Sequence, residues 1–459
     1  MPVRGRGAAA LGALALGACA GGAGKGPAPA DDTGAGAAAP VWPDGGCGRA
    51  HTLLPTAGMG EVLAAERDDA LSLSAATINA LLGAQGLSGL LTATHDVETW
   101  RVRYRTQDRG AAVEATGLVV LPAGAGAVPL LLWLHPTVGF SDACAPSALG
   151  LEGAAFPILF ASTGMAVAAP DYLGMAGFGA PSGRLHPYIV AEPTAVASLD
   201  AARALLRLQD GPAAGLGTTA DPQRLIHWGA SQGGHAALWT DRAQVLYAPE
   251  LRTVAALASV APTDLLGLAA EGVASLRPTT AALAGVLVGM DDWYGAGALA
   301  EVLQPGPAAA LPAEVGASCS DFPTLEAITA VDELFTAAAV DAAARRDWSA
   351  LPDWGCRLAE SSLVGNAVAR GHDAPVFIGT AEQDDLVVTA PTRADVPRLC
   401  AEGYEITYQE CAGEGHTGGA VAGLPTQWAW LQARLAGAPL PAGVCAVGPP
   451  EVCPGVPGG

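Results

Sequence analysis

Gly229-Ala230-Ser231-Gln232-Gly233 follows Arg224-Leu225-Ile226-His227-Trp228, a short apolar run with the character of a buried strand. It precedes Gly234-His235-Ala236-Ala237-Leu238-Trp239, which reads as the start of a helix. A G-x-S-x-G sequence between a strand and a helix is the pattern of a nucleophile elbow. Such a turn is tight enough to hold its serine in a strained backbone conformation. The residues two before and two after the serine crowd each other, so glycine fits at both. The hydroxyl of Ser231 would then stand above the sheet edge. The backbone N–H of Gln232, at the helix start, is a candidate donor to a developing oxyanion. In a chain with 60 glycines, the alternative is an ordinary turn with a spare serine. The order of the acids and histidines that follow decides between the two.

Residues 374–380 (Ala-Pro-Val-Phe-Ile-Gly-Thr) return to a strand and run into Glu382, Asp384 and Asp385. An orienting carboxylate belongs just past this strand end. Asp384 is the first candidate, Asp385 the second and Glu382 the third. Residues 404–409 alternate as a late, edge-side strand does, and lead to Gly413-Glu414-Gly415-His416. A histidine flanked by glycines in a loop after the last strand can swing its ring over the serine. Of the eight histidines, only His416 follows the acid. Serine is a poor nucleophile on its own; it needs a base within reach and a carboxylate to orient that base. Ser231, Asp384 and His416 fall in the order serine, acid, histidine, each just past a predicted strand.

Upstream, residues 99–105 and 112–122 are expected to begin the sheet as an antiparallel pair. Residues 128–134 (Val-Pro-Leu-Leu-Leu-Trp-Leu) form a near-continuous apolar run, as in a strand covered on both faces. The run ends in His135-Pro136-Thr137, where a second oxyanion donor is needed. Pro136 has no N–H, so Thr137 is the candidate, through its backbone and its hydroxyl. His135 reads as a packed histidine that fixes this loop. Residues 164–170 form the next strand, and 192–208 a helix. Asp171 and Asp200 precede the serine, and so read as loop- and helix-anchoring groups. After a strand at 253–262, residues 263–373 hold no strong strand pattern. We expect a helical cap there, inserted over the sheet's carboxyl edge and lining an apolar cleft; the alternative is a second helical subdomain.

The chain has 459 residues, of which 51% are hydrophobic, so a large core can form. Its formal charge of −21 argues against nucleic acid or an anionic membrane surface as partner. Residues 1–18 read as a signal peptide with Arg4 and Arg6 ahead of a short apolar run, too short to span a bilayer. That segment ends Leu16-Gly17-Ala18-Cys19, which resembles a bacterial lipobox and marks Cys19 as a site of lipidation. Residues 19–45 read as a flexible tether. Setting Cys19 aside leaves an even set of cysteines, 47, 144, 319, 356, 400, 411, 445 and 453, and hence up to four disulfides. Cys319 and Cys356, both in the inserted segment, are a plausible pair. Cys445 and Cys453 lie in a Pro/Gly-rich tail expected to be stapled back to the body. None of the spacings suits zinc.

These residues carry a resemblance. Asp171-Tyr172-Leu173-Gly174, His186-Pro187-Tyr188, Leu199-Asp200-Ala201-Ala202-Arg203, the elbow through Gly234-His235, Gly379-Thr380-Ala381 and Gly415-His416 are similar to the α/β-hydrolase superfamily. Within it they resemble the secretory lipase (lipase A-like) branch and its bacterial relatives. The resemblance implies an α/β fold, a mostly parallel central sheet flanked by helices with an inserted helical cap. The resemblance covers roughly residues 99–436, and the strand pattern divides the chain into core at 46–262, cap at 263–373 and core again at 374–459. It implies hydrolysis of a small-molecule or lipid carboxylic ester through an acyl-enzyme, with no cofactor. The His-Pro-Thr loop departs from the His-Gly of many relatives, which bears on Thr137 as donor. The chain is read as an exported monomer, touching membrane only through a lipid on Cys19. A serine peptidase or acyltransferase on the same fold would need an amine or acceptor site, which no sequence feature marks. A non-catalytic surface lipoprotein would have no need of all three residues.

Overall fold

The apolar run at 128–134 lies in the middle strand of a nine-stranded sheet in the computed structural model, which describes residues 39–85, 87 and 91–455. Two short strands, β1 (Val41–Trp42) and β2 (His51–Thr52), pair with each other outside it. The sheet comprises β3 (Val62–Asp68), β4 (Val97–Asp108), β5 (Ala111–Pro122), β6 (Gly126–Leu134) and β7 (Ala166–Pro170). It is completed by β8 (Thr218–Ala230), β9 (Thr253–Ser259), β10 (Val376–Ala381) and β11 (Ile406–Cys411). The spatial order is β11-β10-β9-β8-β6-β7-β5-β4-β3. From β11 to β7 every pairing is parallel, and β5, β4 and β3 add on antiparallel. The fold is α/β.

The continuous apolar run of β6 is explained by the two layers it separates. Side chains alternate across a strand. Leu130, Leu132 and Leu134 enter one core with Ala195, Leu199, Leu238 and Trp239. These last come from α3 (Ala191–Asp210) and α4 (Gln232–Tyr247). Leu131 and Trp133 point the other way, into a core with Ile158, Phe160, Trp430 and Leu431. That layer is built by α1 (Ala75–Ala84), α2 (Leu151–Ser162) and α15 (Leu424–Leu435). Both faces are dry, so no polar alternation survives.

Two expectations about the body need correction. The pair β4 and β5 does not begin the sheet, because β3 lies outside it. Its sequence, Val-Leu-Ala-Ala-Glu-Arg-Asp, has no alternation because an edge strand half-exposed on both faces needs none. Of the stretch 19–45 read as a tether, the described residues 39–45 are tied to the body. Trp42 is buried with its ring 6.0 Å from that of Trp239, and the Gly45 N–H donates to Glu360 at 3.1 Å. The segment 1–18 read as a signal peptide, Cys19 and the rest of the tether to residue 38 lie outside the described residues.

Between β9 and β10 the chain is helical: α5 (Leu265–Ala274), α6 (Pro278–Tyr294), α7 (Leu299–Val302), α8 (Pro305–Ala317), α9 (Pro323–Ala327), α10 (Val331–Leu334), α11 (Ala337–Arg345) and α12 (Pro352–Glu360). These helices enclose their own apolar cluster around Leu287, Met290, Phe335 and Trp354. Cys319 and Cys356 do not pair with each other. Cys319 joins Cys144, just past the loop after β6, and Cys356 joins Cys47 near the start of the described chain. Both bonds run from the helical segment to the body, so nearness in sequence was the wrong guide. The tail is stapled as expected, through Cys400–Cys445 and Cys411–Cys453. After β10 come α13 (Thr389–Ala401) and, after β11, α14 (His416–Ala422).

Candidate active site

Ser231 is the single residue between β8 and α4, with φ 57° and ψ −121°. A non-glycine residue pays on the order of 1–3 kcal/mol for such a conformation, and keeps it only where its surroundings over-determine it. Here they do. The Ser231 N–H donates to the Ser259 carbonyl at 2.8 Å, and its carbonyl accepts from His235 N–H at 3.1 Å. A Cβ on Gly229 would stand 2.1 Å from the Gly233 carbonyl oxygen, and one on Gly233 would stand 1.9 Å from that of Leu134. Glycine at both positions is therefore a steric requirement. Tyr172, Ile189 and Val260 also have positive φ, so strain gathers around the same sheet edge.

Past β10 and β11 the chain brings an acid and a base to this serine. Asp384 is buried, and its Oδ1 accepts from the N–H groups of Leu386 at 3.0 Å and Val387 at 2.8 Å. Its Oδ2 lies 2.8 Å from His416 Nδ1. A carboxylate can only accept, so Nδ1 carries the proton and Nε2 is bare. That bare nitrogen lies 2.9 Å from Ser231 Oγ, and the hydroxyl donates to it. His416 opens α14 instead of sitting in a loop, because Gly415 caps a short helix that begins at the histidine. Asp385 and Glu382 make other contacts. The backbone carbonyl of Asp385 accepts from Thr279 N–H and hydroxyl, tying the acid loop to α6. Glu382 accepts from Gly413 N–H at 2.8 Å, joining the acid loop to the histidine loop.

Gln232 heads α4, so its N–H is one of the first-turn donors that have no intrahelical partner. Thr137 is exposed, and its hydroxyl lies 2.8 Å from that of Tyr188. His135 is packed as a loop anchor: its Nδ1 is 2.7 Å from the Pro136 carbonyl, and its ring lies 4.2 Å from that of Tyr172. Burial lowers its pKa to about 4, so it is neutral. Asp171 accepts from Ser147 and Thr116, and Asp200 from Thr106, Tyr247 and Arg203. Burial raises the pKa of both carboxyls. Neither touches the serine–histidine pair.

Two residues of this neighbourhood have a role that sequence reasoning missed. His186 Nδ1 is 2.8 Å from the Leu173 carbonyl, and its Nε2 is 2.6 Å from the Gln232 side-chain amide. His235, one turn into α4, has its Nε2 2.8 Å from the Ser361 carbonyl at the end of α12, and so ties the elbow helix to the inserted helical segment. Both stand in motifs that could be quoted from sequence, but their partners lie 46 and 126 residues away.

The parallel sheet, the serine turn and the inserted helices define an α/β-hydrolase. The secretory lipase family model matches residues 155–309 and 357–443, more than half of the chain, and the protein belongs to that family. Lipase 6 of Candida albicans is 27% identical over 292 residues, a match that spans 60% of this chain and 57% of that relative. Among solved structures, the ligand-bound rice cell wall degrading esterase LipA of Xanthomonas oryzae superposes with a TM-score of 0.65 at 21% identity, covering 78% of this chain and 92% of LipA. Candida antarctica lipase A in its closed state gives 0.63 at 17% identity, with 86% of each chain covered. These two likenesses are of fold.

Proposed function

We propose that the protein is an exported serine hydrolase that cleaves carboxylic esters through an acyl-enzyme. The observation that carries this reading is the unbroken hydrogen-bond chain from Asp384 through His416 to Ser231. Ser231 Oγ attacks the ester carbonyl carbon while His416 Nε2 takes its proton. The carbonyl π electrons move to oxygen, which the N–H groups of Gln232 and Thr137 receive. Collapse of the tetrahedral intermediate breaks the ester C–O bond, and His416 gives its proton to the leaving alcohol. Water then attacks the acyl-enzyme with His416 again as base, and the acid and free Ser231 are released. Asp384 keeps the proton on Nδ1 and stabilises the imidazolium.

Membership in the secretory lipase family supports the ester-hydrolase class, and four disulfides among the described residues support export. We assign residues 263–373 as a cap over the site, acting in a monomer. The body and cap share the disulfide Cys144–Cys319 beside the loop that holds Thr137. Lipidation of Cys19 is part of the proposal, and intact mass of the exported protein tests it. The central test is hydrolysis of p-nitrophenyl esters of increasing acyl length by the protein and its Ser231→Ala variant. Turnover that disappears in the variant supports the reading. No turnover with any ester, and no labelling of Ser231 by a fluorophosphonate, would overturn it.

A further inference from the structure

The segment His186-Pro187-Tyr188 lies far from Ser231 in sequence, yet it reaches both proposed oxyanion donors. His186 is 1% exposed, and its Nδ1 faces the Leu173 carbonyl at 2.8 Å. A carbonyl only accepts, so Nδ1 carries the proton and Nε2 must accept. The group facing Nε2 at 2.6 Å is the Gln232 side-chain amide, which donates its N–H to it. Burial pushes the His186 pKa down to about 3, which keeps the ring in this neutral, one-way arrangement across the working pH range. Gln232 is itself buried, so its side chain is held by a single partner at the first residue of α4. Two residues on, the Tyr188 hydroxyl meets the Thr137 hydroxyl at 2.8 Å. The His186 backbone N–H donates to the Phe140 carbonyl at 3.3 Å, closing the loop that carries Thr137 onto the same segment.

The cap presses on this segment from above. Gly285 and Gly289 are one turn apart on α6. A Cβ on Gly289 would come 2.8 Å from the Tyr188 backbone nitrogen, and one on Gly285 would come 3.2 Å from the Phe140 ring. The edge of the Phe140 ring also packs against Tyr188, with centroids 4.8 Å apart. The segment therefore has no room to shift unless α6 moves.

We infer that His186 and Tyr188 are positioning residues which set the two oxyanion donors, His186 through the Gln232 side chain and Tyr188 through the Thr137 hydroxyl. The inference rests on the serine-hydrolase reading above. A donor that is present but loosely held contributes little to a transition state, since roughly 1 Å of misplacement can cost about 100-fold. One arm ends at a helix start and the other on a loop.

The test is steady-state kinetics with p-nitrophenyl butyrate on Tyr188→Phe, Thr137→Val, the double variant, His186→Leu and His186→Gln, alongside fluorophosphonate labelling. Tyr188→Phe and Thr137→Val are each expected to lower kcat about 10-fold with KM unchanged. The double variant should lose no more than either single variant, because one hydroxyl pair is being broken. His186→Leu should lower kcat at least as far, and His186→Gln, which offers an amide oxygen as acceptor, should recover part of that loss. Thr137 is exposed, so its variant is expected to melt as the parent does and carries the test if a buried variant fails to fold. Unchanged kcat in Thr137→Val, losses that multiply in the double variant, or losses confined to KM would each overturn the inference while leaving the hydrolase reading standing. A parent protein that neither turns over ester nor labels at Ser231 would overturn both.

Discussion

His416 Nε2 lies 2.9 Å from Ser231 Oγ, across 185 residues of chain. The bond exists because β8 and β11 end at the same sheet edge, with β9 and β10 between them. Asp384, past β10, then reaches the far side of the same ring at 2.8 Å.

This geometry separates two neighbouring acids. Asp384→Asn should lower kcat by about 10⁴-fold, since an amide facing Nδ1 favours the wrong tautomer. Asp385→Asn should leave kcat within about 2-fold, because Asp385 bonds through its backbone carbonyl. Kinetics of both variants on one p-nitrophenyl ester decide the matter. Equal losses would mean that the acid loop as a whole, and not one carboxylate, supports the histidine.

Gly233→Ala should cost on the order of 3 kcal/mol or more, because its Cβ would overlap a backbone oxygen that cannot move away without breaking β6. Urea denaturation followed by tryptophan fluorescence measures it. A variant as stable as the parent would mean that the turn is looser than described.

The bond Cys144–Cys319 ties the helical segment to the body, and a Cβ on Gly139 would lie 2.4 Å from Cys144 Sγ. Replacing both cysteines by serine should cost about 2–4 kcal/mol. It should also speed proteolysis within residues 263–373 and lower kcat, since the loop between His135 and Phe140 leans on this disulfide. Limited trypsin digestion and melting temperature read the first two effects. Unchanged digestion would show that packing alone holds the cap.

His51 joins Glu192 at 2.5 Å, and Glu192 is 3% exposed. The hydrogen bond to Glu192 raises the His51 pKa above 6.5; burial opposes it, the charges of Glu192 and Glu360 add to it, and Arg109 subtracts. The folded state thus binds this proton more tightly than the unfolded state does. The stabilisation is fully present below 6.5 and is lost as pH rises through the raised value. His51→Gln should lower the melting temperature at about pH 5.5 and lower it much less at about pH 9. A deficit independent of pH would assign the role of His51 to packing.

Much of this was legible in the chain because it depends on local rules. The elbow glycines, the apolar run of β6 and the acid–histidine order each express a constraint within a few residues, or a fixed order along the sheet. The cysteine partners were not legible. Cys319 and Cys356 are close in sequence but pair with Cys144 and Cys47. Strand β3 was missed because an edge strand needs no alternation. The contacts of His186 and Tyr188 stayed hidden for the same reason as the disulfides: their partners are set by how loops meet over the sheet.

By itself the sequence determined the α/β class, the serine turn and which residue types could serve as base and acid. These follow from steric limits on backbone and from the two-sided burial of parallel strands. Only the tertiary structure decided that Asp384 and not Asp385 faces the ring, that the inserted helical segment is bound to the body at two cysteines, and that one buried histidine holds the Gln232 side chain. Those outcomes turn on side-chain direction and on distances of about 3 Å between loops, and a chain's order of residues does not encode either one locally.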